Sequence, residues 1–196
     1  MGAVAGEGGL TPRLFLVAPE QDTIHLVACL NAACSAGDVA SLLVSPSASK
    51  ELVKLAQSKS VAVVTSGIAP QLGADGIHVE ARAEAVANAR RLVGKDGIVG
   101  ASAGGSRHFA MEAAEAGADY VALSQSGHAI GGEPIIKWWT DFCVVPCVAF
   151  DPVKVAELDT LLPQNPDFIR PSETMWNGPE DARCIISELM QRLKST

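Results

Sequence analysis

Apolar positions along the chain fall into short runs separated by stretches of helical periodicity. The runs are LFLVA (14–18), SLLVS (41–45), VAVVT (61–65), DGIHV (75–79), GIVGAS (97–102), DYVALS (119–124), VVPCVAF (144–150) and DFIR (167–170). Runs this short and this apolar suit strands covered on both faces, where no side chain has to meet water. Between them, TIHLVACLNAACSAG places Leu26, Leu30 and Ala33 on one helical face. EARAEAVANARRLVG places Ala85, Ala89, Leu92 and Val93 on one side and Glu84, Asn88 and Arg91 on the other, which is the 3.6-residue period of an amphipathic helix.

Local start signals extend the pattern. Ser106 is a predicted N-cap, and another helix is predicted to begin near Glu133–Pro134. Asp151–Pro152 reads as N-cap and first helical position of a helix that stops before Pro163. Asn177-Gly178-Pro179-Glu180 resembles a capping-box start. The last helix aligns Leu189 and Leu193, with acids early and Lys194 late, as the helix dipole favours. After the third strand there is room only for a short helical piece, IAPQL.

Eight strands, each followed by helical sequence, predict an α/β fold: a compact single-domain (β/α)8 TIM barrel over residues 13–196, preceded by a disordered tail at 1–12. The alternative, an open doubly wound sheet, often carries a Gly-rich phosphate loop after its first strand, and no G-x-G-x-x-G occurs there. An internal echo supports the barrel. LGADGIHV at 72 and AGADYVAL at 116 share Gly-Ala-Asp leading into a strand, and NPDFI at 165 repeats the Asp. Gly supplies a left-handed C-cap, and the Asp is expected to cap the N-terminal edge of the barrel. Barrel active sites occupy the opposite edge, so Asp75 and Asp119 are expected to be structural.

Composition narrows the function. The net charge is −7 and no basic stripe is visible, which argues against nucleic acid. No apolar run approaches the ~20 residues needed to span a bilayer, and MGAVAGEGG lacks the basic start of a signal peptide. No membrane association and a cytoplasmic location are expected. Five cysteines, none in a C-x-x-C pair, read as reduced and mostly buried. Trp138, Trp139 and Trp176 read as packing residues, with Trp176 placed to roof a pocket just past the eighth strand.

ADGIHV, followed by GASAGGSRHFAMEAAEAGADYVAL, resembles the middle of thiamine phosphate synthase and its relative, the TenI thiazole tautomerase. The resemblance covers about residues 60 to 125 and is topological on either side. It implies a transferase that joins an aminopyrimidine diphosphate to a thiazole phosphate in thiamine biosynthesis, with Mg2+ neutralising the departing pyrophosphate. The family's metal acids lie in an Asn-Asp pair after strand three and a Gly-Gln-x-Asp run after strand four. Here those places read Thr65-Ser66 and Glu80-Ala81-Arg82-Ala83. The family's charged run after strand two is replaced by LLVSPSAS, its Thr-x-Thr-Lys after strand six by Ser126-Gly127-His128-Ala129, and its Gly-Gly after strand seven by Phe150-Asp151-Pro152.

Two family positions are retained: Ser102, which the resemblance turns toward pyrophosphate, and His78 of the fourth strand. Gly104 and Gly105 form a Gly-rich turn before a helix, a place where amides can hold an anion. Ser172 and Thr174 are donors after strand eight. The ligand-binding expectation is therefore Ser102, His78, Gly104, Gly105, Ser172 and Thr174. No dedicated metal site is expected; Glu80 and Glu84 are the nearby acids, and Mg2+ would serve only if the family chemistry is kept. The tautomerase histidine position holds Gly104, leaving His128 as the candidate proton carrier. The expected protein is thiamine-phosphate-synthase-like, with the standard coupling absent or very slow and a small phosphorylated molecule as partner. Three alternatives stay open: a transferase using Glu80 or Glu84, a non-catalytic phosphate-ligand binder, and an isomerase using His128 or His78. A homodimer or higher assembly is also expected.

Overall fold

The computed structural model describes residues 11–127 and 131–195. Eight strands run β1 (Arg13–Val17), β2 (Val39–Val44), β3 (Ala62–Thr65), β4 (Gly76–Glu80), β5 (Ile98–Gly104), β6 (Tyr120–Leu123), β7 (Cys147–Val153) and β8 (Phe168–Pro171). Each pairs in parallel with the next, and β1 closes on β8 through Arg13↔Phe168 and Leu14↔Ile169. The helices are α1 (Thr23–Ala36), α2 (Lys50–Ser58), α3 (Ala83–Val93), α4 (Arg107–Glu115), α5 (Ile135–Phe142), α6 (Leu158–Leu161) and α7 (Pro179–Lys194). The expected TIM barrel is the fold of this chain. The expected tail falls almost wholly on residues 1–10, which lie outside the described residues.

The period of two along each strand sorts side chains into two cores. Leu14, Leu16, Leu42, Val63, Ile77, Val99, Val121 and Ile169 face the helices and join the large outer core. Phe15, Leu43, Val64, Tyr120, Ala122 and Val148 fill the barrel interior, with Val17, Ile98, Phe150 and Phe168 packed on them. Each fully buried Leu or Phe contributes about 1.5–3 kcal/mol, so both cores hold the ring together; β4 is the strand with no apolar residue in the interior cluster.

One glycine has a specific task inside the ring. A Cβ on Gly100 would lie 2.0 Å from the Tyr120 ring. Only glycine lets the Tyr120 side chain cross its neighbouring strand and reach His78 on β4.

The repeated Asp corners form a single device at the N-terminal edge. The Asp75 carboxylate accepts the Val63 N–H at 2.7 Å, Asp119 that of Val99 at 2.7 Å, and Asp167 that of Cys147 at 2.8 Å. In each case the residue leading into an even strand satisfies the first free donor of the odd strand before it. These aspartates are structural and sit away from the C-terminal mouth.

Four expectations are corrected. Asp151–Pro152 starts no helix: both residues lie in β7, which bulges between Ala149 and Val153 and continues to pair with Pro171. The bulge accommodates a Pro that can donate no ladder hydrogen bond. The next helical turn begins only at Val155, capped at Lys154 with Glu157. Residues 144–146 lie outside β7, and Val144 is fully exposed. As expected, only a short helical piece follows β3, the 3-10 turn Pro70–Leu72. Leu92 then finds no neighbouring helix to pack on and is 58% exposed, while Val86 and Ala89 carry the buried face of α3. α7 starts on Gly178 without a side-chain cap and with Pro179 at its first position. All five cysteines are free, Cys29 and Cys147 buried and Cys184 exposed.

Candidate functional site at the barrel mouth

The C-terminal ends of the strands bring Ser45, Thr65, Glu80, Ser102, Ser124, Asp151, Arg170 and Ser172 to one edge. Below that edge, at mid-barrel, His78 is 7% exposed. Its Nδ1 lies 2.8 Å from the Tyr120 hydroxyl. Its ring stacks on Phe150, with 5.5 Å between centroids and 13° between planes, and more obliquely on Tyr120. Burial pushes the imidazole pKa down to about 4 and the Tyr120 pKa up. The Tyr120 hydroxyl has no other acceptor among the described residues, so its proton goes to Nδ1 and the imidazole's own proton sits on Nε2. Nε2 is buried without a hydrogen-bond partner, a costly state for a polar atom.

The rim at strands three to five lacks a carboxylate clamp. Thr65 is buried, and its hydroxyl donates to the Gly67 carbonyl at 2.6 Å. Ala81 is buried and its N–H bonds the Ser102 carbonyl at 3.0 Å. Ala83 opens α3, and Glu84 is exposed in its first turn. A cavity of about 290 Å³ is lined by Glu80, Ala81, Arg82, Ser102, Ala103, Gly104, Ser106 and Phe109, but not by Glu84. Among the described residues no three His, Cys, Asp or Glu side chains converge. Mg2+ is held through one or two carboxylates with substrate phosphates in octahedral geometry. Thr65 is turned onto backbone, Ala81 and Ala83 carry no ligand atom, and of the two exposed acids only Glu80 lines the cavity, so the rim does not offer the carboxylate pair that the family chemistry implies.

Ser102 is half-buried in this cavity beside Gly104, which adopts φ +54°. Gly105 faces Gly127: a Cβ on Gly105 would lie 3.0 Å from the Gly127 Cα and one on Gly127 2.6 Å from the Gly105 Cα, so the loops after β5 and β6 touch backbone to backbone. His128 and the two residues after it lie outside the described residues.

On the far side of the mouth the structure reveals a cation absent from the sequence expectation. Arg170 follows Phe168 by two residues on β8 and therefore points the same way, into the barrel. Its side chain is only 14% exposed, paired with a Glu173 side chain that is 68% exposed. Its Nη1 donates to the Phe150 carbonyl at 3.1 Å, and its guanidinium lies 5.1 Å from the Phe150 ring centre. Desolvation lowers its pKa, opposed by Glu173 and Asp151. A cavity of about 300 Å³ between the ends of β1 and β8 is lined by Val17, Ala18, Pro19, Gln21, Arg170, Glu173, Thr174, Trp176 and Asn177. Thr174 is thus in a pocket. Ser172 is buried and caps the following turn, its hydroxyl 2.9 Å from that of Thr174. The period-two placement of Arg170 behind Phe168 was the available signal; the shortness of the strand hid it.

Asp151 is occupied. Its carboxylate accepts from the Ser124 hydroxyl and the Gln125 N–H, both at 2.8 Å, and fastens the loop after β6. His25 and Cys29 approach to 3.6 Å, but His25 Nε2 is held at 2.6 Å by the Trp176 carbonyl. Burial also raises the Cys29 pKa, so the pair is not an activated thiol.

The sequence profile of the thiamine monophosphate synthase family matches residues 14–165. The chain is 34% identical to the thiamine-phosphate synthase of Hyphomonas neptunium (strain ATCC 15444), over 92% of this chain and 95% of the relative. It is also 34% identical to that of Rhodospirillum centenum (strain ATCC 51521 / SW), over 90% and 95%. The thiamine phosphate pyrophosphorylase from Pyrococcus furiosus superposes with a TM-score of 0.74 at 17% identity, covering 94% of this chain and 96% of that one. The (S)-3-O-geranylgeranylglyceryl phosphate synthase from Thermoplasma acidophilum superposes at 0.68 with 12% identity, covering 94% of each chain, a likeness of fold alone. Profile, relatives and barrel agree: this chain belongs to the thiamine monophosphate synthase family.

Proposed function

We propose that this protein binds a small phosphorylated molecule at its C-terminal mouth and performs the family's magnesium-dependent coupling slowly or not at all. The observation that carries this reading is the rim of β3 and β4. Where coupling requires two carboxylates to hold Mg2+ against pyrophosphate, the chain presents Thr65, bonded to backbone, and Ala81 and Ala83. Removing a single preorganised group that stabilises developing charge costs about 10²–10³ in rate, and here the set is replaced together.

The strand-seven rim supports the same conclusion. Phe150 stacks on His78, and Asp151 places a negative carboxylate where a phosphate would need donors. Anion binding is therefore assigned to the groups that remain available: Ser102 and Gly104 on one side, Thr174 on the other. Calorimetry with thiamine phosphate and with inorganic phosphate tests the binding. A saturable heat is expected, and its absence at millimolar ligand would remove the proposal.

A further inference from the structure

We propose that Arg170 anchors the phosphoryl group of that ligand and that Glu173 is its resting counterion, displaced when the ligand enters the cavity between β1 and β8. The assignment rests on the proposed reading of the mouth as a phosphate-ligand site and adds which residue holds the anion. A largely buried cation carries a desolvation cost that a close partner must offset. The ion-pair partner of Arg170 sits on the solvent side, the Arg170 side chain being 14% exposed and that of Glu173 68% exposed, while Asp151 acts on it without a direct ion pair. A carboxylate this exposed is held by little besides the guanidinium and is readily exchanged for another anion.

The guanidinium is held ready. The Phe150 carbonyl and ring fix its plane, and Glu173 takes one further N–H. Its remaining N–H groups have no partner among the described residues. A planar fork with free donors matches two oxygens of a phosphate. The cavity beside it is lined by the neutral donors Gln21, Thr174 and Asn177, and Glu173 is the one carboxylate in its lining. The ligand class is a phosphate monoester whose apolar part lies along Trp176 and Val17.

The test is calorimetry with inorganic phosphate and thiamine phosphate on the full chain and on Glu173→Gln, Arg170→Lys and Arg170→Gln. Glu173→Gln removes the competing charge and is expected to tighten both ligands about 3- to 10-fold, the equivalent of roughly 1 kcal/mol. Arg170→Gln is expected to weaken them at least about 10-fold, with Arg170→Lys between. If the full chain binds and Glu173→Gln and Arg170→Gln both leave the affinity unchanged, the assignment to Arg170 is overturned while the phosphate-binding reading stands. If neither the full chain nor Glu173→Gln binds at millimolar ligand, both are overturned. Should Arg170→Gln fail to fold, the exposed Glu173→Gln decides alone: tightening supports the assignment, and unchanged or weaker binding rejects it.

Discussion

The ring of Phe150 lies nearly parallel to the imidazole of His78, 13° apart with 5.5 Å between ring centres. The resemblance puts Gly-Gly after strand seven, where this chain has Phe150-Asp151. The Phe150 ring also lies 5.1 Å from the Arg170 guanidinium, and its backbone carbonyl accepts from Arg170. One residue of β7 thus contacts both the buried histidine and the cation of β8.

His78 makes the fold sensitive to acid. Its folded pKa is lowered from 6.5 to about 4 by burial. The unfolded chain takes up a proton below its ordinary pKa while the folded chain does not, so this stability is present above pH ~6.5 and lost as the pH falls toward 4. The loss is on the order of 3 kcal/mol at full protonation of the unfolded state. Denaturant unfolding between pH 7 and 4 should show it, and His78→Gln should flatten that window. An unchanged slope in the variant would mean that other groups govern the acid limb.

Tyr120 and Gly100 should behave as one unit. Tyr120→Phe leaves His78 Nδ1 buried without its 2.8 Å partner and is expected to cost about 1–3 kcal/mol. Gly100→Ala drives a Cβ into the tyrosine ring and is expected to cost more than about 3 kcal/mol, as severe overpacking does. Combining Gly100→Ala with Tyr120→Leu should recover part of that loss. Equal stability of Gly100→Ala and the parent in urea would refute the proposed fit.

These interior contacts mark the limit of what the sequence discloses. Strand count, the barrel and the Asp corners are legible because each repeats: eight apolar runs, and Asp75, Asp119 and Asp167 at matching turns. The mouth is built from single residues with no period. Arg170 lies in a four-residue strand, and its inward direction follows only once Phe168 is known to face the interior. Asp151–Pro152 reads locally as a helix start because the bulge that keeps it in β7 depends on pairing with β8. Leu92 fits the helical stripe of α3, and its exposure follows from the absent helix after β3.

The Asp corners should affect stability without touching the mouth. Asp119→Ala strips the acceptor from the buried Val99 N–H, at an expected cost of about 1–3 kcal/mol. The half-exposed Arg90 ion pair adds little to this. Phosphate affinity should remain within about 2-fold of the parent, because the corner lies at the opposite edge of the barrel. A large change in affinity with intact folding would contradict the separation of the two edges.

The most direct test of the account is product formation from hydroxymethylpyrimidine diphosphate and thiazole phosphate with Mg2+, using enzyme at high concentration. The rim of Thr65, Ala81 and Ala83 predicts little or no thiamine phosphate, with no dependence on Glu80 or Glu84. Magnesium-dependent turnover that Glu80→Gln or Glu84→Gln abolishes would contradict it.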